Sequence, residues 1–354
     1  MAIRVLIVED SLIMRKVIET VLAVDDEITV IGSATNGLIA LEMIRKQPPD
    51  LVTLDIEMPE MDGLSALTEI RKFNKTLPII MLSSMTKRGA EQTMKALMQG
   101  ANDYMEKPSN LTGLEDSIAY LREGLIPKIK ALNSKNNSKY YPHKKNQTQE
   151  LSIFKNPKSD DLNKSIQSIC IGVSTGGPMA LVELFEFWKT ALPVPIFIVQ
   201  HMPPKFTELL ANRLSTLGAT KVIEPYDGQT PEPGFAYMAP GGWHMKLISS
   251  NGVVKIQLNE EPPVNSCRPS VDILFKSAAL VYPSGVLALV LTGMGTDGLN
   301  GAKSLVDSGS TVWVQDESTS TIWGMPGSVA NAGLAERVVA LDLIPKMIQT
   351  QLGL

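Results

Sequence analysis

A chain of 354 residues that is 44% apolar and 20% charged has the composition of a globular protein with room for two cores, which excludes a disordered or fibrous class. No apolar run approaches the roughly 20 residues needed to cross a bilayer, and two cysteines, Cys170 and Cys267, are too few for a disulfide scaffold or a cysteine-based zinc site, so a reduced cytoplasmic setting is expected. The net charge of −4 divides into −5 for residues 1–122, +5 for 123–165 and −4 for 166–354, and neither flanking part has the basic footprint of a nucleic-acid binder.

The chain opens on MAIRVLIVED, a short apolar run that turns acidic without a small-residue cleavage site, which predicts a strand rather than a signal peptide. Further strand candidates follow as ITVIGSA, LVTLD, PIIMLS and NDYME. Helical patterns separate them; in one, Ile13, Val17 and Val21 recur four apart, with Met14, Ile18 and Leu22 beside them. Such alternation predicts a five-stranded parallel sheet covered by helices on both faces. Glu9 and Asp10 end the first strand, Asp55 the third and Ser83 the fourth, while Lys107 follows the fifth. On a doubly wound sheet these positions converge on the carboxyl edge. Three clustered carboxylates repel one another and favour a hard divalent cation with oxygen ligands, best matched by Mg2+. A lysine and a hydroxyl beside them suit phosphoryl transfer onto a carboxylate. One acidic residue at a strand end is commonplace; five functional side chains at successive strand ends are not.

Periodicity fails from Pro127 to Lys164, where NSKNNSKYYPHKKNQTQE reads as a solvated tether. The expected limits are 1–123 for a first domain, 124–164 for the tether and 165–354 for a second domain. Apolar strands and helices then resume, predicting a doubly wound α/β domain with a mostly parallel sheet. Within it HMKLISSNGVVKIQLN places an Asn-Gly turn between alternating runs and predicts an inserted antiparallel hairpin. No repeat appears at solenoid or propeller spacing.

Three apolar runs of this second domain lead into a serine, a histidine and an aspartate: SICIGV into Ser174, PIFIVQ into His201, and GVLALVLTGMG through Thr296 into Asp297. Gly172-Val-Ser174-Thr-Gly176 fits G-x-S-x-G, a sharp strand-to-helix turn that exposes a serine, and Pro178 suits a first helical turn. The unpaired amides of such a turn offer an oxyanion cradle. Of the three histidines, His143 falls in the tether and His244 begins the hairpin, leaving His201 as the base. For the third member Asp297 competes with Asp227, Asp272 and above all Asp316, another strand-end carboxylate; Asp297 could equally cap the helix after it. The order Ser…His…Asp differs from that of α/β-hydrolases. A serine nucleophile without a nearby metal-ligand motif favours acyl transfer, and no cofactor is expected in this domain.

Over about the first 120 residues, VLIVEDS, LVTLDIEMPEMDG, MLSSMT and Lys107-Pro108 resemble the flavodoxin-like receiver domain of two-component response regulators. The resemblance implies that Asp55 is the phosphoacceptor, that Glu9 and Asp10 help it hold Mg2+, and that Ser83 and Lys107 sense the phosphoryl group. The second half, through ICIGVSTGGPMAL, VQHMPPKFTELLANRL, CRPSVDILF, LTGMGTDGLNGAK and WGMPGSVANAG, resembles the catalytic domain of the CheB family, the chemotaxis protein-glutamate methylesterases/glutaminases. That resemblance implies hydrolysis of glutamate γ-methyl esters and deamidation of glutamines on chemoreceptor cytoplasmic domains. It makes Ser174, His201 and Asp297 the triad, with Thr175 beside the nucleophile and the Met294 amide helping to stabilise the oxyanion. It further implies a chemotaxis histidine kinase as phosphodonor, phosphorylation-controlled activity and a monomer. A non-enzymatic adaptor would leave the three residues as unrelated turn and cap groups. A DNA-binding output would need a helix-turn-helix, and none is apparent.

Overall fold

The computed structural model describes residues 2–84, 86–108, 113–137 and 165–354. The chain divides into two compact units, Met1–Lys145 and Asn146–Leu354.

In the first unit β1 (Ile3–Val8), α1 (Leu12–Leu22), β2 (Ile28–Ala34), α2 (Gly37–Lys46), β3 (Leu51–Asp55), α3 (Gly63–Phe73), β4 (Ile79–Ser83), α4 (Lys87–Met98), β5 (Asp103–Glu106) and α5 (Leu114–Asn137) alternate along the chain. The strands pair in parallel in the order β2-β1-β3-β4-β5. The expected five-stranded parallel sheet is thus observed. β3 and β4 are buried along their whole length, as expected of central strands in a parallel sheet whose crossovers are helices. α1 packs on α5, and α2, α3 and α4 pack in succession. Ser11, Asn36, Asp62 and Thr86 cap α1 to α4 by accepting from Met14, Ile39, Ser65 and Gly89 amides, so each helix begins where its sequence supplies a short polar side chain.

One boundary differs from the sequence reading. The periodicity was expected to end at Pro127, whereas α5 carries Pro127 inside it and runs on to Asn137. Tertiary contacts outweigh the hydrogen bond lost at proline. Ile129 and Leu132 are buried, Lys128 Nζ lies 2.6 Å from Asp103 Oδ2, and Lys130 Nζ lies 2.8 and 2.7 Å from Asp25 and Glu27 carboxylates. The rest of the tether, with His143, lies outside the described residues.

The second unit contains β6 (Ser168–Val173), α6 (Gly177–Phe187), β7 (Ile196–Gln200), α7 (Phe206–Leu214), β8 (Lys221–Ile223), β9 (Phe235–Met238), β10 (His244–Ser250), β11 (Val253–Asn259), α8 (Val271–Val281), β12 (Val286–Val290), α9 (Leu299–Asp307), β13 (Thr311–Gln315), α10 (Gly324–Asn331), β14 (Arg337–Val339) and α11 (Ile344–Gln351). Seven strands pair in parallel in the order β14-β13-β12-β6-β7-β9-β8. The continuous apolar runs SICIGV, IFIVQ and VLALV are fully buried strands, as expected at the centre of a parallel sheet. β10 and β11 form the inserted antiparallel hairpin. Its Asn251 and Gly252 have φ of 54° and 77°, the two left-handed residues of a type I′ turn.

The order of the central strands positions the site. The chain leaves β6 toward β7 and returns to β12 on the other side of β6, so the loops after β6 and β12 diverge. Ligands bind in the crevice outside the carboxyl ends of strands at such a switch point. Among the described residues no helix is long and apolar enough to cross a membrane.

Candidate active site and acidic cluster

In the first unit, β1 and β3 deliver Glu9, Asp10 and Asp55 with donor oxygens all within 4.8 Å of one another. Lys107 follows β5 and places Nζ 2.8 Å from Glu9 Oε2 and 2.8 Å from Asp55 Oδ1. Arg15 clamps the acidic strand end by donating to the carbonyls of Glu9 (2.7 Å) and Asp10 (2.8 Å). Burial, with Asp55 as the next cause, raises the Glu9 carboxyl to about 7. Burial also raises Asp55, against the pull of Lys107. For Lys107 burial acts downward, but Asp55 and Glu9 outweigh it and the ammonium is held on. One ammonium does not fully compensate three converging carboxylates, and the donor set is all oxygen; a hard divalent cation such as Mg2+ fits it.

The cleft above the cluster, about 360 Å³, is lined by the three carboxylates, Lys107 and Ser84. Ser83 is placed differently from Ser84. It is fully buried, with its hydroxyl 2.5 Å from Thr93 Oγ1 and 3.2 Å from the Gly89 carbonyl, turned toward α4. The structure therefore brings Glu9, Asp10, Asp55 and Lys107 together and leaves Ser83 pointing away from them.

In the second unit, β12, β6 and β7 are consecutive in the sheet, so the loops bearing Asp297, Ser174 and His201 are neighbours. His201 and Asp297 meet directly, with Nε2 2.8 Å from Oδ2. Asp297 is 2% exposed. Its carboxylate also accepts from Val271 N (2.7 Å), Ser270 Oγ (2.9 Å), Asn265 Nδ2 (3.0 Å) and Asp272 N (3.2 Å). Burial opposes its charge, but the His201 bond and these donors outweigh burial and hold the carboxyl down at about 2. Burial likewise opposes the imidazolium; the Asp297 bond and then Cys267 outweigh it and raise His201 to about 9. The permanent carboxylate accepts, so Nε2 carries the proton and Nδ1 is left as the basic nitrogen. Nδ1 faces Cys267 Sγ at 3.6 Å.

Ser174 is half-buried and held through its backbone. Its N–H donates to the Thr292 carbonyl (3.0 Å), and its carbonyl accepts from Gly177 N (2.8 Å) and Gln200 Nε2 (2.9 Å). The adjacent strand is tied in by His201 N, which donates to the Val173 carbonyl at 3.1 Å. The left-handed residue of the turn is Gly176, at φ 80°, and not the serine itself. The Ser174 hydroxyl has no hydrogen-bond partner among the described residues, whereas His201 and Asp297 are already paired. Nucleophile–base contacts are often loose without substrate. The β12 loop presses close: a Cβ at Gly293 would lie 2.8 Å from Ser174 Cβ. Among the described residues nothing accepts the N–H of the next residue, Met294. Thr175 is buried, and its carbonyl accepts from Thr292 Oγ1 at 2.9 Å.

The competing carboxylates are accounted for elsewhere. Asp227 accepts from Leu258 N at 2.9 Å and steadies the hairpin. Asp316 accepts from Ser318 Oγ (2.7 Å) and Thr319 N (2.9 Å) in its own turn. Asp272 accepts from Gly298 N (3.1 Å) and Gly301 N (2.7 Å), at the start of α9. Asp297, which immediately precedes α9, instead receives the first amides of α8. Each aspartate thus serves the helix that the other one borders. His244 is fully buried, with Nε2 donating to the Pro262 carbonyl (3.2 Å) and Nδ1 accepting from Ser270 N (3.2 Å). Burial lowers its pKa, and it supports the loop that holds Asp297.

The CheB methylesterase family matches residues 169–348, and the response regulator receiver domain family matches residues 5–119. A protein-glutamate methylesterase/protein-glutamine glutaminase of Trichodesmium erythraeum is 46% identical over 351 residues, covering 99% of each chain. One from a Nocardioides species is 42% identical over 98% of this chain and 95% of its own. The chain belongs to the CheB methylesterase family. The crystal structure of the Thermotoga maritima CheB methylesterase catalytic domain is 40% identical, with a TM-score of 0.51, covering 53% of this chain and 98% of that one.

Sequence reasoning missed several supports of this CheB-family site. Gln200 is buried at the end of β7 and bridges to Ser174; an amide closing the apolar run PIFIVQ was the available signal. Gln315 Oε1 accepts from Thr292 N at 2.8 Å, the same signal at the end of TVWVQ. Asn265 and Ser270 sit in an aperiodic loop, and nothing in their local pattern announced a bond to Asp297.

Proposed function

We propose that Ser174, His201 and Asp297 hydrolyse glutamate γ-methyl esters, and deamidate glutamines, on chemoreceptor cytoplasmic domains, at a rate raised by phosphorylation of Asp55. The activity itself, protein-glutamate methylesterase and protein-glutamine glutaminase, follows from membership of the family and the names of full-length relatives. The observation that carries the site assignment is the 2.8 Å bond between His201 and the buried Asp297, on strand ends flanking Ser174.

In this chemistry Ser174 Oγ attacks the ester carbonyl carbon while its proton passes to His201 Nδ1. Asp297 keeps the proton on Nε2 and offsets the imidazolium charge. The oxyanion lies against the free Met294 amide, with Thr175 shaping the wall beside the serine. The C–O bond then breaks, the imidazolium protonates the leaving methoxide, and methanol departs; a glutamine substrate releases ammonia instead. Water attacks the acyl-serine, gives its proton to His201, and restores Ser174 with a glutamate product.

For regulation, an Asp55 oxygen attacks the phosphorus of a phosphohistidine on a chemotaxis kinase and the P–N bond breaks. Glu9, Asp10 and Asp55 would hold Mg2+, which supplies charge neutralisation to the transferring group. Lys107 balances the product charge, and Ser83, by turning from Thr93, would sense it. Free cysteines agree with a cytoplasmic setting, and a monomer suffices for both chemistries.

The test is methanol release from methylated receptor membranes by the full chain, with and without a small-molecule phosphodonor. Release is expected to rise with the donor and to fall about 10³-fold or more in Ser174→Ala. Wild-type release by Ser174→Ala would overturn the nucleophile assignment.

A further inference from the structure

We propose that Cys267 and His201 form an inhibitory zinc site in the catalytic crevice. Cys267 is a free, half-buried thiol in the loop before α8, and the reaction derived above gives it no step. Its sulfur lies 3.6 Å from the nitrogen that must accept the serine proton. Zinc–sulfur and zinc–imidazole bonds are about 2.3 Å and 2.0–2.1 Å, and a tetrahedral angle between them separates the two donors by about 3.6 Å. The pair, joined here by a thiol–imidazole hydrogen bond, is therefore also spaced as two ligands of one ion. The second requirement is a ring locked with its other nitrogen protonated toward a carboxylate, the arrangement that orients zinc-bound histidines. Asp297 supplies it at 2.8 Å, and the donor atoms of His201, Cys267 and Asp297 all lie within 4.8 Å of one another. On binding, the Cys267 thiol releases its proton to solvent, the thiolate sulfur and the Nδ1 lone pair become the two protein ligands, and water completes the tetrahedron. No electron changes hands. Two protein ligands make a reversible site rather than a structural one. Occupied Nδ1 cannot accept a proton from Ser174, so hydrolysis stops.

The effect on rate rests on His201 being the base; the binding does not, and two readouts separate them. The first is alkylation of Cys267 by iodoacetamide in the full chain, followed by peptide mass. Cys170 is an internal reference, since it is fully buried and burial pushes its thiol up. Micromolar Zn2+ is expected to slow Cys267 alkylation about tenfold or more, with EDTA restoring it and Mg2+ without effect. The second readout is methanol release, expected to fall over the same zinc range. In Cys267→Ala or Cys267→Ser at least about tenfold more zinc should be needed for equal inhibition. Unchanged alkylation in zinc, or equal zinc sensitivity in both variants, would overturn the site. Protection of Cys267 with undiminished methanol release would refute the inhibition and count against His201 as base.

Discussion

His201 has a different partner on each ring nitrogen, and that division sets its pH behaviour. Asp297 fixes the proton on Nε2, so only neutral His201 offers a basic Nδ1. With the imidazole raised to about 9, the neutral form grows as pH rises, and kcat/KM is expected to increase through neutral pH, reach half its plateau near 9 and level off above it. Asp297→Asn should lose about 10³–10⁴-fold in kcat, through loss of the tautomer, and shift the rise to lower pH. An initial-rate pH profile of both proteins checks this; an unshifted profile in the variant would sever the link between carboxylate and base. The same group ties stability to pH. Its folded pKa exceeds the ordinary 6.5, so its contribution is complete below 6.5 and is lost as pH climbs through about 9.

The helices of the two units begin differently. α1 to α4 each have a Ser, Asn, Asp or Thr cap that takes up an amide, whereas α6 and α9 begin at Gly176 and Gly298, both left-handed and neither with a side-chain cap. Glycine at these turns lets strand and helix close tightly over the crevice. Gly293 is also closely approached, and Gly293→Ala should force the β12 loop away from Ser174 and Met325. The expected cost is about 1–3 kcal/mol in unfolding free energy with a drop in kcat; thermal melts and initial rates measure both. Strands and several of the candidate residues were legible because Glu9, Asp55, Ser174 and His201 stand at or just past the end of a buried apolar run. The extension of α5 was not, because Lys128 and Lys130 stabilise it through Asp103, Asp25 and Glu27, far from it in sequence. Nor was the choice among four aspartates settled by pattern. Asp316 ends its strand as Asp297 follows its own, and only folding shows which one reaches His201.

At the scale of the whole chain, two chemistries with opposite metal demands reside in separate units. The acidic cluster is an all-oxygen donor set that fits a hard cation, while the proposed triad of Ser174, His201 and Asp297 takes none of its groups from it. Chelation with EDTA is accordingly expected to abolish the phosphodonor response and to leave basal methanol release intact. Asp55→Asn should behave the same way with Mg2+ present. Retention of the response in Asp55→Asn would remove Asp55 as the phosphoacceptor.

The exchange of helix ends between Asp272 and Asp297 has a consequence for how the protein ages with temperature. Because the first amides of α8 hold Asp297, and α8 is itself tied to α9 through Asp272, local loosening there is expected to weaken the His201–Asp297 pair before the fold is lost. On warming, the pH of half-maximal activity should fall more steeply than the pKa of free imidazole does, while circular dichroism still reports an intact fold.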